Sequence, residues 1–370
     1  MTRASSSAHM GIPFVADEVL PPGETLLETL EALSLNQAQL ATRSGLSAKH
    51  INQLVKGAAT LSHETALALE KVTGVKARFW NALESNYREH LARLAEEAKL
   101  SEEQGWLNAM PVSQLRSEGF VSETRRNPGK LVKELLEFFG VGSIEAWRVS
   151  WAEPAASFLQ SAAFEAEQGA VAAWLRLGEK AAQDLACSPF DKDALVSRLP
   201  QIRALSSKSS TEFWPRVQEI CAEVGVALVL VPEITGARAS GATRWISPTK
   251  AVVQLSNRGK RDDKFWFAFF HELGHVLLHG KREVFLEKNI GDAATRPKQE
   301  EEANAFARRL LIPAEHESRL PSLLAEGDVR AFALELGIAP GIVAGRLQRD
   351  RNDYRLFTKL FRKFEIVRGH

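Results

Sequence analysis

The stretch from Asp263 to His279 constrains this chain more than any other, because five aromatic residues, Phe265, Trp266, Phe267, Phe269 and Phe270, run directly into His271-Glu272-Leu273-Gly274-His275. A helix that apolar belongs in a core, and a buried helix cannot leave two imidazoles and a carboxylate without partners. Histidines at i and i+4 project from one face about a turn apart, so both reach a single metal ion while the intervening Glu stands beside the fourth coordination position. Glu272 is thereby placed as a general base for a metal-activated water, the arrangement of a hydrolase. The expected occupant is Zn2+, one ion per chain, with Mn2+ as the alternative.

Zinc hydrolases usually add a third protein ligand and leave the fourth position to water. His279 lies four residues beyond His275, yet in a continuing helix at 1.5 Å per residue it would stand about 12 Å from His271. It is therefore read as a helix-end residue bonding exposed carbonyls. The next helix, from about Gln299 to Leu311 and stopped by Pro313, carries Glu300, Glu301 and Glu302. Its apolar stripe, Ala303, Phe306, Ala307, Leu310 and Leu311, turns Glu301 away from the core. Glu300 and Glu302 both remain at the stripe's boundary, and periodicity does not choose between them.

Upstream, Val226–Val231 and Ala251–Leu255 are β-branched runs bounded by Pro232, Gly236, Gly241 and Pro248, which predicts strands of a small sheet. Ala251–Leu255, just before the metal helix, is the expected edge on which a substrate strand docks. Elsewhere the periodicity is helical. Pro21-Pro22-Gly23 opens a helical region reaching about Leu100, and breaks at Pro111, Pro128-Gly129, Gly140, Pro154 and Pro189 divide a further helical stretch to about Ser206. Trp106, Trp147, Trp151 and Trp174 in that stretch read as packing residues. Helices are also expected over Asp328–Leu336 and Gly341–Asp350.

Within the first helical region, Gln37–Lys56 has the spacing of a helix-turn-helix: Leu40, Ala41, Ile51 and Leu54 where two helices cross, Gly45 at the turn, and Ser47 as a cap for the second helix. That helix would present Ser47, Lys49, His50, Asn52, Gln53 and Lys56 outward, with Gln37 opening the first helix. Small polar, amide and basic side chains suit base edges and phosphates. The 47 basic and 46 acidic residues nearly cancel, giving +1 overall, so DNA affinity must come from this one face and be salt-sensitive. Cys187 and Cys221 form no framework and read as buried small hydrophobes in a reducing cytosol. No apolar run approaches the roughly 18 residues that span a bilayer, so no membrane association is expected and the location is read as cytoplasmic.

The segment Glu24 to about Leu94 resembles the lambda-repressor-like helix-turn-helix of the XRE class, and more narrowly the HigA-type antitoxins. That resemblance implies a homodimer on a palindromic operator, and leaves room for a toxin partner. Val226 to Glu315, with FWFAFFHELGHVLLH and EEEANAFARRLLIP, resembles the ImmA/IrrE family of zinc metallo-endopeptidases, and Gly337–Gln348 resembles the C-terminal extension common in such proteins. In that family the Glu of the EAN sequence is the third ligand, which carries over to Glu302.

The expected architecture is mainly α with a small α+β part. A tail over 1–20 precedes a five-helix helix-turn-helix domain over 21–99 and a helical connecting region over 100–205. A zincin-like metallopeptidase domain with a small antiparallel or mixed sheet follows over 206–320, then a helical C-terminal extension over 321–370. The resemblance implies a stress-responsive endopeptidase and transcriptional regulator that cleaves a repressor or antitoxin, or its own chain near Leu100–Ser206. The alternative is a non-proteolytic DNA-binding regulator or antitoxin that uses the zincin domain as sensor or scaffold.

Overall fold

Residues 19–153, 165–237, 239–256, 261–280, 285–288 and 298–363 are described by the computed structural model; the tail expected over 1–20 lies outside them except for its last two residues. Contacts divide the chain into two units, Met1–Glu102 and Glu103–His370.

Among its described residues the first unit is five helices, α1 (Pro22–Ala32), α2 (Gln37–Ser44), α3 (Ala48–Val55), α4 (His63–Thr73) and α5 (Ala77–Glu102). Local chemistry sets their ends. Asn36 and Gln39 form a reciprocal capping box at α2, each side chain accepting from the other's backbone N–H at 2.8 and 2.9 Å. Gly45, at φ 75°, closes α2 in the left-handed region, and Ser47 Oγ accepts from the His50 N–H at 3.1 Å to start α3. Leu26, Leu30, Leu40, Ile51, Leu54, Leu69 and Trp80 form the core. A Cβ on Gly23 would fall 2.3 Å from the Val55 carbonyl oxygen, so the start of α1 packs directly on the end of α3. That contact turns Leu26 and Leu30 inward and leaves Leu27 and Leu33 largely exposed.

The second unit begins with α6 (Val112–Ser117), α7 (Pro128–Phe139), the short α8 (Ile144–Trp147), α9 (Glu165–Gln183), α10 (Lys192–Ala204) and α11 (Ser210–Glu223). The proline and glycine breaks fall where their backbone chemistry requires: Pro111 caps α6, Pro128 opens α7, and Gly140 closes it at φ 69°. Trp147, Trp151 and Trp174 are buried packing residues and Trp106 is half-buried. Cys221 is buried, with burial raising its thiol's pKa, whereas Cys187 is only half-buried.

Strands β1 (Val226–Val231), β2 (Ala239–Ser247), β3 (Lys250–Ser256) and β4 (Phe285–Lys288) form one mixed sheet in the order β1-β3-β2-β4. β1 and β3 are parallel; β2 is antiparallel to both β3 and β4. The edge expected at Ala251–Leu255 is corrected by this order. β3 is interior, buried at every position from Ala251 to Ser256, as its lack of alternation befits a strand covered on both faces.

One face of the sheet carries Leu228, Val253 and Thr243 and packs on α12 (Asp262–Leu278). The other face carries Gln254 and Arg244 and is covered by α9. There the Gln254 amide donates to the Trp174 carbonyl at 2.7 Å, and Arg244 pairs with Glu179. The segment read as a connecting region thus supplies the sheet's second cover.

After α12 come α13 (Lys298–Leu311), α14 (Ala314–Glu317), α15 (Glu326–Leu336) and α16 (Pro340–Asp350). α16 packs on the start of α12, where only glycine fits: a Cβ on Gly341 would lie 2.4 Å from Asp262 Oδ1, and one on Gly345 2.6 Å from Asp263 Oδ2. Fully buried Asp262 accepts from Arg362 Nε at 3.0 Å and from its backbone N–H at 3.2 Å, anchoring the chain end beside α12. No helix among the described residues is long and apolar enough to cross a membrane.

Candidate metal centre and DNA-facing helix

Helix α12 holds His271, Glu272 and His275 in its buried half, with both imidazoles 1% exposed. The rings turn toward each other, Nε2 to Nε2 at 3.0 Å. Glu300, at the start of α13, closes the triangle: its carboxylate oxygens lie 3.2 Å from His271 Nε2 and 3.3 Å from His275 Nε2. A tetrahedral ion with bonds of about 2.0–2.1 Å holds its ligand atoms about 3.3–3.4 Å apart. Two neutral nitrogens and a carboxylate oxygen at these separations fit Zn2+ in charge, softness and size.

The electrostatics agree. Burial, the largest influence on His275, pushes its pKa down to about 4 despite the nearby Glu300 carboxylate, so the ring is neutral at physiological pH. For Glu300 burial pushes upward, but hydrogen bonds and charge from His271 and His275 outweigh it and hold the carboxyl at about 2. Both groups are in the state a metal ligand needs.

Two helices must approach closely to make this triangle, and Gly274 permits it. A Cβ there would meet Ala303 Cα and the Phe306 ring at 3.2 Å. Glu300 then falls on the contact face because Ala303, Asn304, Ala307 and Leu311, all buried, lie three, four, seven and eleven residues on.

Glu302, assigned as third ligand by resemblance, is corrected to a different place. Two residues from Glu300 is about 200° around a helix, and Glu302 is carried off the contact face; its side chain is 42% exposed. Its carboxylate meets His279, Nε2 to Oε2 at 3.2 Å. His279 is the helix-end residue expected: the helix ends at Leu278 and the His279 backbone N–H donates to the His275 carbonyl at 3.2 Å, while its ring folds back to place Nδ1 2.9 Å from His275 Nδ1.

Glu272 is 0% exposed and faces β2. The Thr243 hydroxyl lies 2.6 Å from Glu272 Oε2 and 3.0 Å from the Glu272 carbonyl oxygen, bracing the carboxylate. Gly241, two residues away on the same strand face, makes room for it, since a Cβ would fall 2.5 Å from Oε1. Sequence reasoning missed Thr243 and Gly241, because nothing in their spacing announces a partner across a helix and strand. Arg244, next along β2, faces the opposite layer, with its guanidinium 5.1 Å from the Trp151 ring centre. Burial lowers its pKa to about 10.

In the first unit, Ser47, Lys49, Asn52, Gln53 and Lys56 are exposed along α3. Gln37, at the start of α2, is half-buried. His50 is half-buried too, its Nε2 3.4 Å from Thr65 Oγ1, which ties it to α4. Arg43, not singled out beforehand, is exposed on α2.

These features define a helix-turn-helix unit followed by a unit built around an HExxH helix with a candidate metal site. Comparison with known families agrees: residues 26–80 match the helix-turn-helix model, and residues 228–348 match the peptidase family described as the IrrE N-terminal-like domain. The two matched segments thus resemble a helix-turn-helix domain and an IrrE-like peptidase domain, in that order. The second match ends inside α16, so it includes the helices read as an extension. No curated protein matches the chain.

Proposed function

We propose that this chain is a Zn2+-dependent endopeptidase joined to an operator-reading helix-turn-helix, acting on a repressor- or antitoxin-type protein. The observation that carries the reading is the His271–His275–Glu300 triangle, both imidazoles buried, with a braced carboxylate, Glu272, on the same helix as the histidines. When bound, the ion would supply Lewis acidity to a scissile carbonyl and acidify the attacking water.

The chain's own residues do the rest. His271, His275 and Glu300 hold the ion. Glu272 takes a proton from the water and returns it to the leaving amine. Thr243 keeps the carboxylate aimed, and Gly241 keeps the strand backbone clear of it. β4, outermost beyond β2 among the described residues, offers the edge on which an extended substrate segment adds as a further strand. In the first unit, the exposed face of α3 reads operator DNA, with a homodimer matching a palindromic site.

The test incubates the Zn2+-loaded full chain with purified regulators of the helix-turn-helix type, comparing wild type with Glu272→Gln. Cleavage by wild type, lost in the variant while bound zinc is retained, is the expected result. Retained zinc with no Glu272-dependent cleavage of any regulator would replace this reading with that of a metal-bearing scaffold.

A further inference from the structure

We propose that Glu302 and His279 are positioning residues: an outer hydrogen-bond relay that sets the tautomer and aim of His275. This rests on the metal-centre reading above and extends it to two side chains outside the ligand triangle. The relay is a continuous line of contacts. Glu302 Oε2 lies 3.2 Å from His279 Nε2, and His279 Nδ1 lies 2.9 Å from His275 Nδ1. His275 Nε2 then faces His271 Nε2 at 3.0 Å and Glu300 at 3.3 Å.

Only one direction of hydrogen bonding along that line suits a ligand. His275 Nε2 must present a lone pair to the ion, so its proton sits on Nδ1. His279 Nδ1 must then accept, which puts the His279 proton on Nε2, where it needs an acceptor of its own. Glu302 is that acceptor, and a carboxylate can only accept. The opposite polarity would place a hydrogen on His275 Nε2, inside the ligand triangle.

The surroundings suit this task. His279's side chain is 3% exposed, so its ring has little room to reorient, whereas Glu302 is 42% exposed with Lys298 Nζ 3.6 Å from its other oxygen. The acidic end of the relay is therefore at the surface and the directed end is in the core. Partners of this kind behind a ligating histidine fix ring orientation and raise ligand basicity, and their loss typically costs about 10- to 100-fold in metal affinity.

The experiment uses the full chain as wild type, Glu302→Ala, Glu302→Gln and His279→Phe. Zn2+ affinity is measured by chelator competition, and the His275 tautomer by 15N NMR on metal-free and Zn2+-loaded protein. Glu302→Ala is expected to weaken zinc binding about 10- to 100-fold and to mix the His275 tautomers in the metal-free protein. Glu302→Gln, whose amide oxygen still accepts, should restore most of both, and His279→Phe should reproduce the alanine defect. The thermal midpoint of metal-free Glu302→Ala should fall by no more than the loss of a single hydrogen bond, because a partly exposed side chain leaves no cavity, and the fold should persist. Unchanged affinity and an unchanged tautomer in Glu302→Ala would overturn the relay. Failure of the wild type to bind Zn2+ would instead refute the metal centre, and the metal-free tautomer would still decide the relay.

Discussion

Acidification should destabilise the metal-free protein through His275 in particular. The ring is 1% exposed and sits against His271, His279 and Glu300. Burial, partly offset by Glu300, holds its pKa at about 4 against 6.5 for an ordinary histidine. Above pH 6.5 the imidazole is neutral in both folded and unfolded chains and contributes no difference. Between pH 6.5 and 4 the unfolded chain takes up a proton that the folded chain refuses, so stability falls with pH. A displacement of that size corresponds to about 3 kcal/mol, lost by the time pH reaches the folded value. Glu300, held at about 2, remains ionised throughout that window. Urea unfolding of chelator-treated protein at pH 7.0, 5.5 and 4.0 measures the loss, and His275→Gln removes the titrating group. Wild type should lose about 3 kcal/mol more than the variant across the series. Parallel stability curves for the two proteins would refute the claim that this ring is kept neutral by its burial.

Three further outcomes follow from the same geometry. Glu300→Ala should abolish stoichiometric zinc uptake, whereas Glu302→Ala only weakens it; elemental analysis after gel filtration at limiting zinc separates the two, and equal loss would contradict the ligand assignment. Gly241→Ala drives a methyl into the Glu272 carboxylate and should cost about 1–3 kcal/mol of stability as overpacking, read from the midpoint of chemical unfolding, together with loss of peptidase activity. Replacing Lys49 and Gln53 by Ala should remove a footprint on operator DNA without shifting the thermal midpoint of the first unit, since both side chains are exposed; a footprint that persists would move the reading face off α3.

The five helices of the first unit were legible because each has a local signal: Asn36 and Ser47 as caps, Gly45 and Gly74 as left-handed stops, and apolar positions at helical spacing. HExxH was equally plain, since both ligands and the base lie on one helix face. The third ligand was harder to read because it depends on how two helices meet. Periodicity left Glu300 and Glu302 equivalent at the stripe's boundary, whereas the Gly274 contact with Ala303 and Phe306 and the burial of Ala303, Asn304, Ala307 and Leu311 put Glu300 on the shared face. The neighbours of Glu272 come from a strand about thirty residues away in sequence, and no periodicity within α12 encodes them. Strand order was hidden for the same reason: apolar runs announce β1 and β3 but not that β3 lies between β1 and β2.

The cover that α9 gives to the sheet bears on what this protein can afford to cut. Ala227, Val229 and Val252 are buried, and Gln254 and Arg244 beside them bond the Trp174 carbonyl and Glu179 of α9. Lys250 Nζ reaches the Ala182 and Leu185 carbonyls just beyond, at 2.6 and 2.5 Å. A protease that severed its own chain within α9 would strip water-excluding cover from the sheet that carries Thr243 and Gly241, so one self-directed turnover would dismantle the scaffold that aims Glu272. A fragment beginning at residue 206 would expose the same apolar surface from the outset. If the chain acts as the proposed peptidase, this packing favours cleavage of a separate protein over self-cleavage within α9, and loss of residues 165–183 should abolish activity as surely as loss of His271, His275 or Glu300.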